Sequence, residues 1–224
     1  MELKNLGVFG FLDSMSASES IALANRAEKL GYEALWLVES GVGRDALAHA
    51  AYLLARTERL VVGSGVASVW AREPVAMASG ASTNAELSGG RFVLGIGINN
   101  PDSAALRGKT YQHPVAYMAE YVGKLQSFQY HAVKPPSAPP IVIGAQNSRM
   151  LELAGRETNG ALTYFVTPAH TARARRLIGP SKWLLVEQAV ILETDSAKAQ
   201  LRPQLSGLLS RDVRLQEVCR RPGV

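Results

Sequence analysis

Short apolar runs rich in β-branched residues alternate with helix-patterned segments along nearly the whole chain. No other feature limits the fold as strongly. The runs are Leu6–Leu12, Ala34–Val38, Leu60–Val66, Phe92–Ile98, Ile141–Ile143, Ala161–Phe165 and Leu184–Leu192. Several are almost continuously apolar, the pattern of parallel strands covered on both faces.

The segments between them carry helix punctuation. Ser16 and Glu19 have capping-box spacing, Ile21, Ala24, Ala27 and Leu30 form a stripe, and Gly31 ends it. Asp45 precedes the stripe Leu47, Ala51 and Leu54; Pro74 opens a helix that Ser88-Gly89-Gly90 stops. Pro114 opens another, Ser148 is placed to cap the next, and Thr167-Pro168 with Gly179-Pro180 bracket the last. Successive strand starts lie mostly 20 to 32 residues apart, near the ~30-residue βαβ unit. The exception runs from Phe92 to Ile141 and holds an inserted loop, Asn99 to His113, and a Pro-rich connector, Lys134 to Pro140.

Strict alternation admits a closed barrel or a doubly wound sheet. No strand end carries a complete dinucleotide fingerprint: Gly95-Ile96-Gly97-Ile98-Asn99-Asn100 lacks the final glycine. The expectation is therefore an α/β fold, a TIM-type (β/α)8 barrel, incomplete at about seven βα units. We expect residues 1–195 to form the barrel and residues 196–224 to form a helix-like stretch, Ser196 to Leu209, followed by a divergent polar tail.

At 47% hydrophobic and 19% charged, the 224-residue chain suits one core-bearing α/β domain. No apolar run reaches the ~18 residues of a membrane span, and Met1 to Leu12 does not read as a signal peptide. One cysteine, Cys219, suits a reducing cytoplasm. The net charge of +5 is dispersed rather than gathered into a stripe, so nucleic acid is not expected as a partner.

In such a barrel, chemistry sits where strands end. Glu39 closes a strand of Leu35-Trp36-Leu37-Val38 and brings a carboxylate to the mouth, as a functional acid or as a structural partner for an arginine or a helix start. Gly63-Ser64-Gly65 interrupts one strand, as a bulge that curves the barrel or, with Gly95 and Gly97 on a neighbour, as a flat slot for a planar cofactor. Gly144-Ala145-Gln146-Asn147 runs into a helix whose N-terminus favours a phosphate, and Thr167 could do the same. His113 in the inserted loop can reach toward substrate, and His170 occupies a first helical turn where a phosphate could face it. His49 and His131 read as solvated or packed. No metal-ligand spacing, Gly-x-Ser-x-Gly elbow or P-loop occurs.

Several stretches resemble the luciferase-like monooxygenase family, especially bacterial members that use the 5-deazaflavin coenzyme F-420. They are Ala27-Glu28-Lys29-Leu30-Gly31-Tyr32-Glu33-Ala34-Leu35-Trp36, Leu60 to Val66 with Arg72-Glu73-Pro74, Leu87 to Gly97, and Arg149 to Gly155. The resemblance runs from about Leu6 to Asp195. It implies a barrel, often dimeric, holding flavin or deazaflavin at the strand C-termini. Glu39 matches an acid near the ring, and Ser64-Gly65 a bulge, often with a non-proline cis peptide, that buttresses it. Ile98 and Asn99 match the wall beside the ring, and Gly144, Ala145, Gln146 and Asn147 the path to the phosphate. Two departures stand out. Ser40 occupies the place where some deazaflavin dehydrogenases carry a catalytic histidine, and from Ser206 onwards the family pattern stops, as in a truncation or a shifted reading frame.

The expected activity is F-420-dependent hydride exchange with a small organic substrate, with Glu39 and His113 as catalytic candidates. Trp70, Asn99, His113 and Tyr164 are the substrate-side candidates. Two alternatives stand: an FMN-dependent monooxygenase, and a catalytically silent barrel with strands one and seven as open edges.

Overall fold

The computed structural model describes residues 1, 3 and 6–190. Strands and helices alternate as β1 (Gly7–Gly10), α1 (Ala17–Lys29), β2 (Ala34–Leu37), α2 (Ala46–Leu54), β3 (Val61–Ser64), β4 (Ala67–Ser68) and α3 (Pro74–Leu87). They continue as β5 (Phe92–Gly97), α4 (Pro101–Ala105), α5 (Pro114–Ser127), β6 (Ile141–Gly144), α6 (Ser148–Glu157), β7 (Gly160–Tyr164), α7 (Pro168–Ile178) and β8 (Trp183–Glu187).

Seven strands pair in parallel in the order β1-β2-β3-β5-β6-β7-β8, and β4 adds a two-residue ladder on β5. They make a nearly closed barrel with helices outside, as expected from the alternation. The alternating pleat divides each strand between two cores. Ala34, Trp36, Val61, Val93, Val142 and Leu162 pack inside the barrel, with Phe9, Trp183 and Leu185 against them. Leu35, Leu37, Val62, Leu94, Ile96 and Ile143 point outward to helix residues such as Leu53, Met77, Met118 and Leu151. Each large side chain buried this way contributes about 1.5–3 kcal/mol.

The caps form largely where their residues predict. Ser16 Oγ accepts from Glu19 N at 3.3 Å while the Glu19 carboxylate accepts from Ser16 N at 2.7 Å. Asp45 accepts from Ala48 N at 2.8 Å and Thr167 from His170 N at 3.2 Å. The exception is α6, where Asn147 rather than Ser148 is the cap. The Asn147 carbonyl already takes the N–H of Leu151 at 3.0 Å, so Ser148 is the first helical residue.

Several expected strands are shorter than their apolar runs, the first ending at Gly10 rather than Leu12. The run from Leu60 to Val66 breaks after Ser64, where a cis peptide joins Gly65 to Val66, one bond beyond Ser64-Gly65. The last ends at Glu187 rather than Leu192, and residues 191 and 192 lie outside the described residues. Ser196 to Leu209, the polar tail and Cys219 also lie outside them. The inserted loop from Asn99 to His113 contains the short helix α4.

Candidate active site at the strand C-termini

Glu39 follows β2 and is 7% exposed. Its carboxylate accepts from Ala46 N at 3.1 Å, Ser68 N at 2.7 Å and Arg72 Nη1 at 3.0 Å, with Arg72 Nη2 on the second face. Arg72 also pairs with Asp45 at the α2 cap. Burial alone would lower the Arg72 pKa, but the two carboxylates outweigh it and hold the guanidinium firmly charged. Glu39 thus ties β2, α2, β4 and the start of α3 together. Of the roles open to it from sequence, this geometry is that of a structural acid, paired with an arginine and with the start of α2.

The glycines of the neighbouring strands are filled from within the chain rather than left as a bare slot. A Cβ on Gly63 would lie 2.4 Å from the Trp36 ring, and one on Gly65 2.6 Å from Phe9. On Gly95 it would lie 1.9 Å from the Ser64 carbonyl, and on Gly97 2.2 Å from Val66 Cγ2. Gly144 is looser, with Val66 Cγ1 at 3.1 Å. The expectation of two stripped strands forming a slot is corrected accordingly. The absent side chains admit Val66 between β5 and β6, and Val66 floors the mouth. Ser64 is fully buried, donating to Gly95 O at 2.8 Å and accepting from Gly95 N at 3.0 Å, so its hydroxyl locks β3 to β5.

On the opposite side, Gln146 is held at both ends. Its Nε2 donates to Tyr164 O at 2.7 Å, and its carbonyl accepts from His170 Nε2 at 2.7 Å. Ala145 N donates to Leu162 O at 2.9 Å. His170 is fully buried, so it supports this turn from behind instead of facing a phosphate. The Asn147 side chain makes no cap bond, so no side chain at the cap meets the first N–H groups of α6, although Met150 N donates to the Asn147 carbonyl at 3.0 Å.

The remaining candidates divide. Asn99, in left-handed conformation at φ 50°, and Tyr164 stand at the ends of β5 and β7. Ile98 turns away from the mouth into the helix-facing core. Trp70 is 5% exposed; it stacks on Tyr117 at 4.5 Å and donates from Nε1 to Ile98 O at 2.7 Å. It is therefore a wall behind the mouth, not a substrate-facing surface. His113 is exposed at the start of α5, φ 45°, and makes no cap bond. Ser40 donates to Asp13 at 2.5 Å; that bond, with Arg44 N at 3.1 Å, holds the Asp13 carboxyl below its usual range.

Three residues without an assigned role from sequence emerge: Val66, Arg72 and Glu187. Glu187 is the last residue of β8, paired in register with Tyr164. Burial pushes its carboxyl up to about 7. The signal for it was parity, since Trp183 and Leu185 share its face. A groove of about 670 Å³ runs between α7 and the outer face of β8, lined by Leu184, Val186 and Thr171 and reaching Val166 and Gln188 just past the strand ends. Among the described residues no group of three or more His, Cys, Asp or Glu could hold a metal, and no helix is long and apolar enough to cross a membrane.

These elements give a parallel barrel whose mouth has Val66 for a floor and the N-terminus of α6 at its edge. The chain belongs to the luciferase-like monooxygenase family, whose model matches residues 6–179. It is 30% identical over 168 residues to the 5,10-methylenetetrahydromethanopterin reductase of Archaeoglobus fulgidus, covering 68% of this chain and 51% of that protein. The chain thus spans about half the length of this curated relative. Its fold matches an F-420-dependent secondary alcohol dehydrogenase bound to an F-420–acetone adduct, with TM-score 0.76 and 16% identity, covering 90% of this chain and 74% of that one. It likewise matches the oxygenating constituent of 3,6-diketocamphane monooxygenase from Pseudomonas putida with FMN, with TM-score 0.74 and 14% identity, covering 94% and 76%.

Proposed function

We propose that this chain is an F-420-dependent oxidoreductase that exchanges hydride with a small organic substrate at the barrel mouth. One observation carries the reading: Val66, seated against Gly97 and Gly144, floors a mouth that adjoins the uncapped N-terminus of α6. An apolar floor suits a planar ring, and free N–H groups with the helix dipole suit a phosphate. Both parts of the group thus meet residues of matching chemistry. Gly65 and Val66 would support the ring, with Asn99 and Tyr164 at its borders. Gly144, Ala145, Gln146 and Asn147 would lead to the phosphate at Ser148.

The deazaflavin, when bound, supplies the hydride chemistry. The protein supplies placement and exclusion of water. Glu39 fixes the β2 end through Arg72, Ser64 locks β3 to β5, and Gln146, held by His170, fixes the turn that meets the cofactor tail. Cytoplasmic location and a homodimer complete this reading.

FMN-dependent monooxygenation is the second reading, favoured by the likeness to the FMN-bound Pseudomonas structure. Reconstituting the purified protein separately with F-420 and with FMN, then recording absorption spectra after gel filtration, separates the two. Retention of F-420 alone supports the first reading and retention of FMN alone the second. Retention of neither favours a silent barrel.

A further inference from the structure

Glu187 has a placement that the site as described does not use. Along β8 the side chains alternate: Leu184 and Val186 face α7, and Trp183 and Leu185 pack into the barrel interior. Glu187 continues the inward series at the C-terminal end. The register pairs Leu185 with Leu162 and Glu187 with Tyr164, so the acid stands one layer above the apolar filling, at the mouth. Its backbone carbonyl accepts from Phe165 N at 3.2 Å.

We propose that Glu187 is the proton-exchanging group of this mouth, working on the substrate heteroatom next to the carbon that exchanges hydride. The inference rests on the reading of the mouth as a deazaflavin site. Other acids at the strand ends are engaged: Glu39 by four donors and Asp13 by Ser40 and Arg44. Glu187 carries no hydrogen bond or ion pair from its carboxyl among the described residues. From β7 the titratable group beside it is Tyr164. On α7, Arg175 belongs to the groove on the other face of β8 and donates to Gly179 O and Lys182 O. Burial, with no compensating cation, raises its carboxyl to about 7, where it can both take and give a proton at neutral pH.

In substrate oxidation, the C–H bond breaks with its electron pair passing as hydride to F-420, the oxidant. The heteroatom–H bond breaks with its proton passing to the Glu187 carboxylate, and the carbon–heteroatom double bond forms. In reduction, protonated Glu187 returns the proton as hydride arrives at carbon.

Two measurements on the full chain test this. The first is isotope-edited infrared titration of glutamate carboxyls in wild type and Glu187→Gln without cofactor. A carboxyl that titrates near neutrality in wild type and is missing from the variant is expected; no such carboxyl overturns the proposal. The second is calorimetric titration with F-420 in buffers of different ionisation enthalpy. A bound anionic cofactor near Glu187 disfavours its carboxylate, so wild type should take up a fraction of a proton on binding and Glu187→Gln none. Equal proton uptake by the two proteins overturns the proposal while leaving the deazaflavin reading intact. Failure of wild type to bind F-420 overturns the deazaflavin reading, and the proposal with it.

Discussion

Glu39 and Arg72 form a bidentate pair, one nitrogen to each carboxylate oxygen, with side chains only 5% and 12% exposed. Because Ala46 N and Ser68 N donate to the same carboxylate, removing it leaves two backbone donors unmet and a buried cation with Asp45 as its remaining carboxylate. Breaking a buried pair from one side costs about 3–5 kcal/mol. Glu39→Ala should lower stability by that order in urea unfolding, and Glu39→Gln, which keeps acceptor oxygen, by less. Equal small losses for both would show that the pair is not structural.

Glycines differ in what their missing Cβ admits. Gly95→Ala places a methyl 1.9 Å from the Ser64 carbonyl and must push β3 from β5. Overpacking of this kind costs about 1–3 kcal/mol or more. Gly123, in the middle of α5 with nothing within 4 Å of its Cβ position, predicts the opposite. Gly123→Ala should stabilise by about 0.5–1 kcal/mol. Thermal melts of the two variants compare the predictions directly.

Trp70 Nε1 donates to Ile98 O, closing the wall behind the mouth. Trp70→Phe keeps an aromatic ring against Tyr117 but orphans that carbonyl. A loss of about 1–3 kcal/mol is expected in equilibrium unfolding. A neutral result would place the indole elsewhere.

Glu187 gives stability a pH dependence of defined sign. Its folded value of about 7 lies above the ordinary 4.5, so the native state binds more protons between those limits. Its contribution therefore favours folding at the acid end of that window and is lost as pH rises through about 7. Because the carboxyl is partly exposed, the effect is of order 1 kcal/mol. Glu187→Gln should be the more stable protein at pH above about 7, with the difference shrinking toward acid. Parallel unfolding curves at all pH values would contradict this.

The fold was legible because each strand signalled itself locally. Continuous apolar runs marked strands covered on both faces, and Ser16, Asp45 and Thr167 marked helix starts through their own side-chain oxygens. The site was less legible because its key contacts join distant residues. Gly97 reads as part of a slot for a ring and Gly144 as part of a path to a phosphate, and only the folded arrangement shows Val66 against both. Glu39 was read as an acid at the mouth, yet its partner lies 33 residues away. Trp70 and Ile98 were assigned to the mouth from chain position, while the pleat turns Ile98 outward and Trp70 packs behind it. Glu187 has no assigned role from sequence because the run Leu184–Leu192 puts it inside a strand, and its place at the mouth follows only from the strand end and its register with Tyr164.

The central claim is that the mouth floored by Val66 and bounded by α6 binds a phosphate-bearing deazaflavin. An equilibrium fluorescence titration of the full chain with F-420, competed by inorganic phosphate, tests it most directly. Saturable binding at one site per chain, weakened by phosphate, is expected. No saturable binding of F-420 would contradict it.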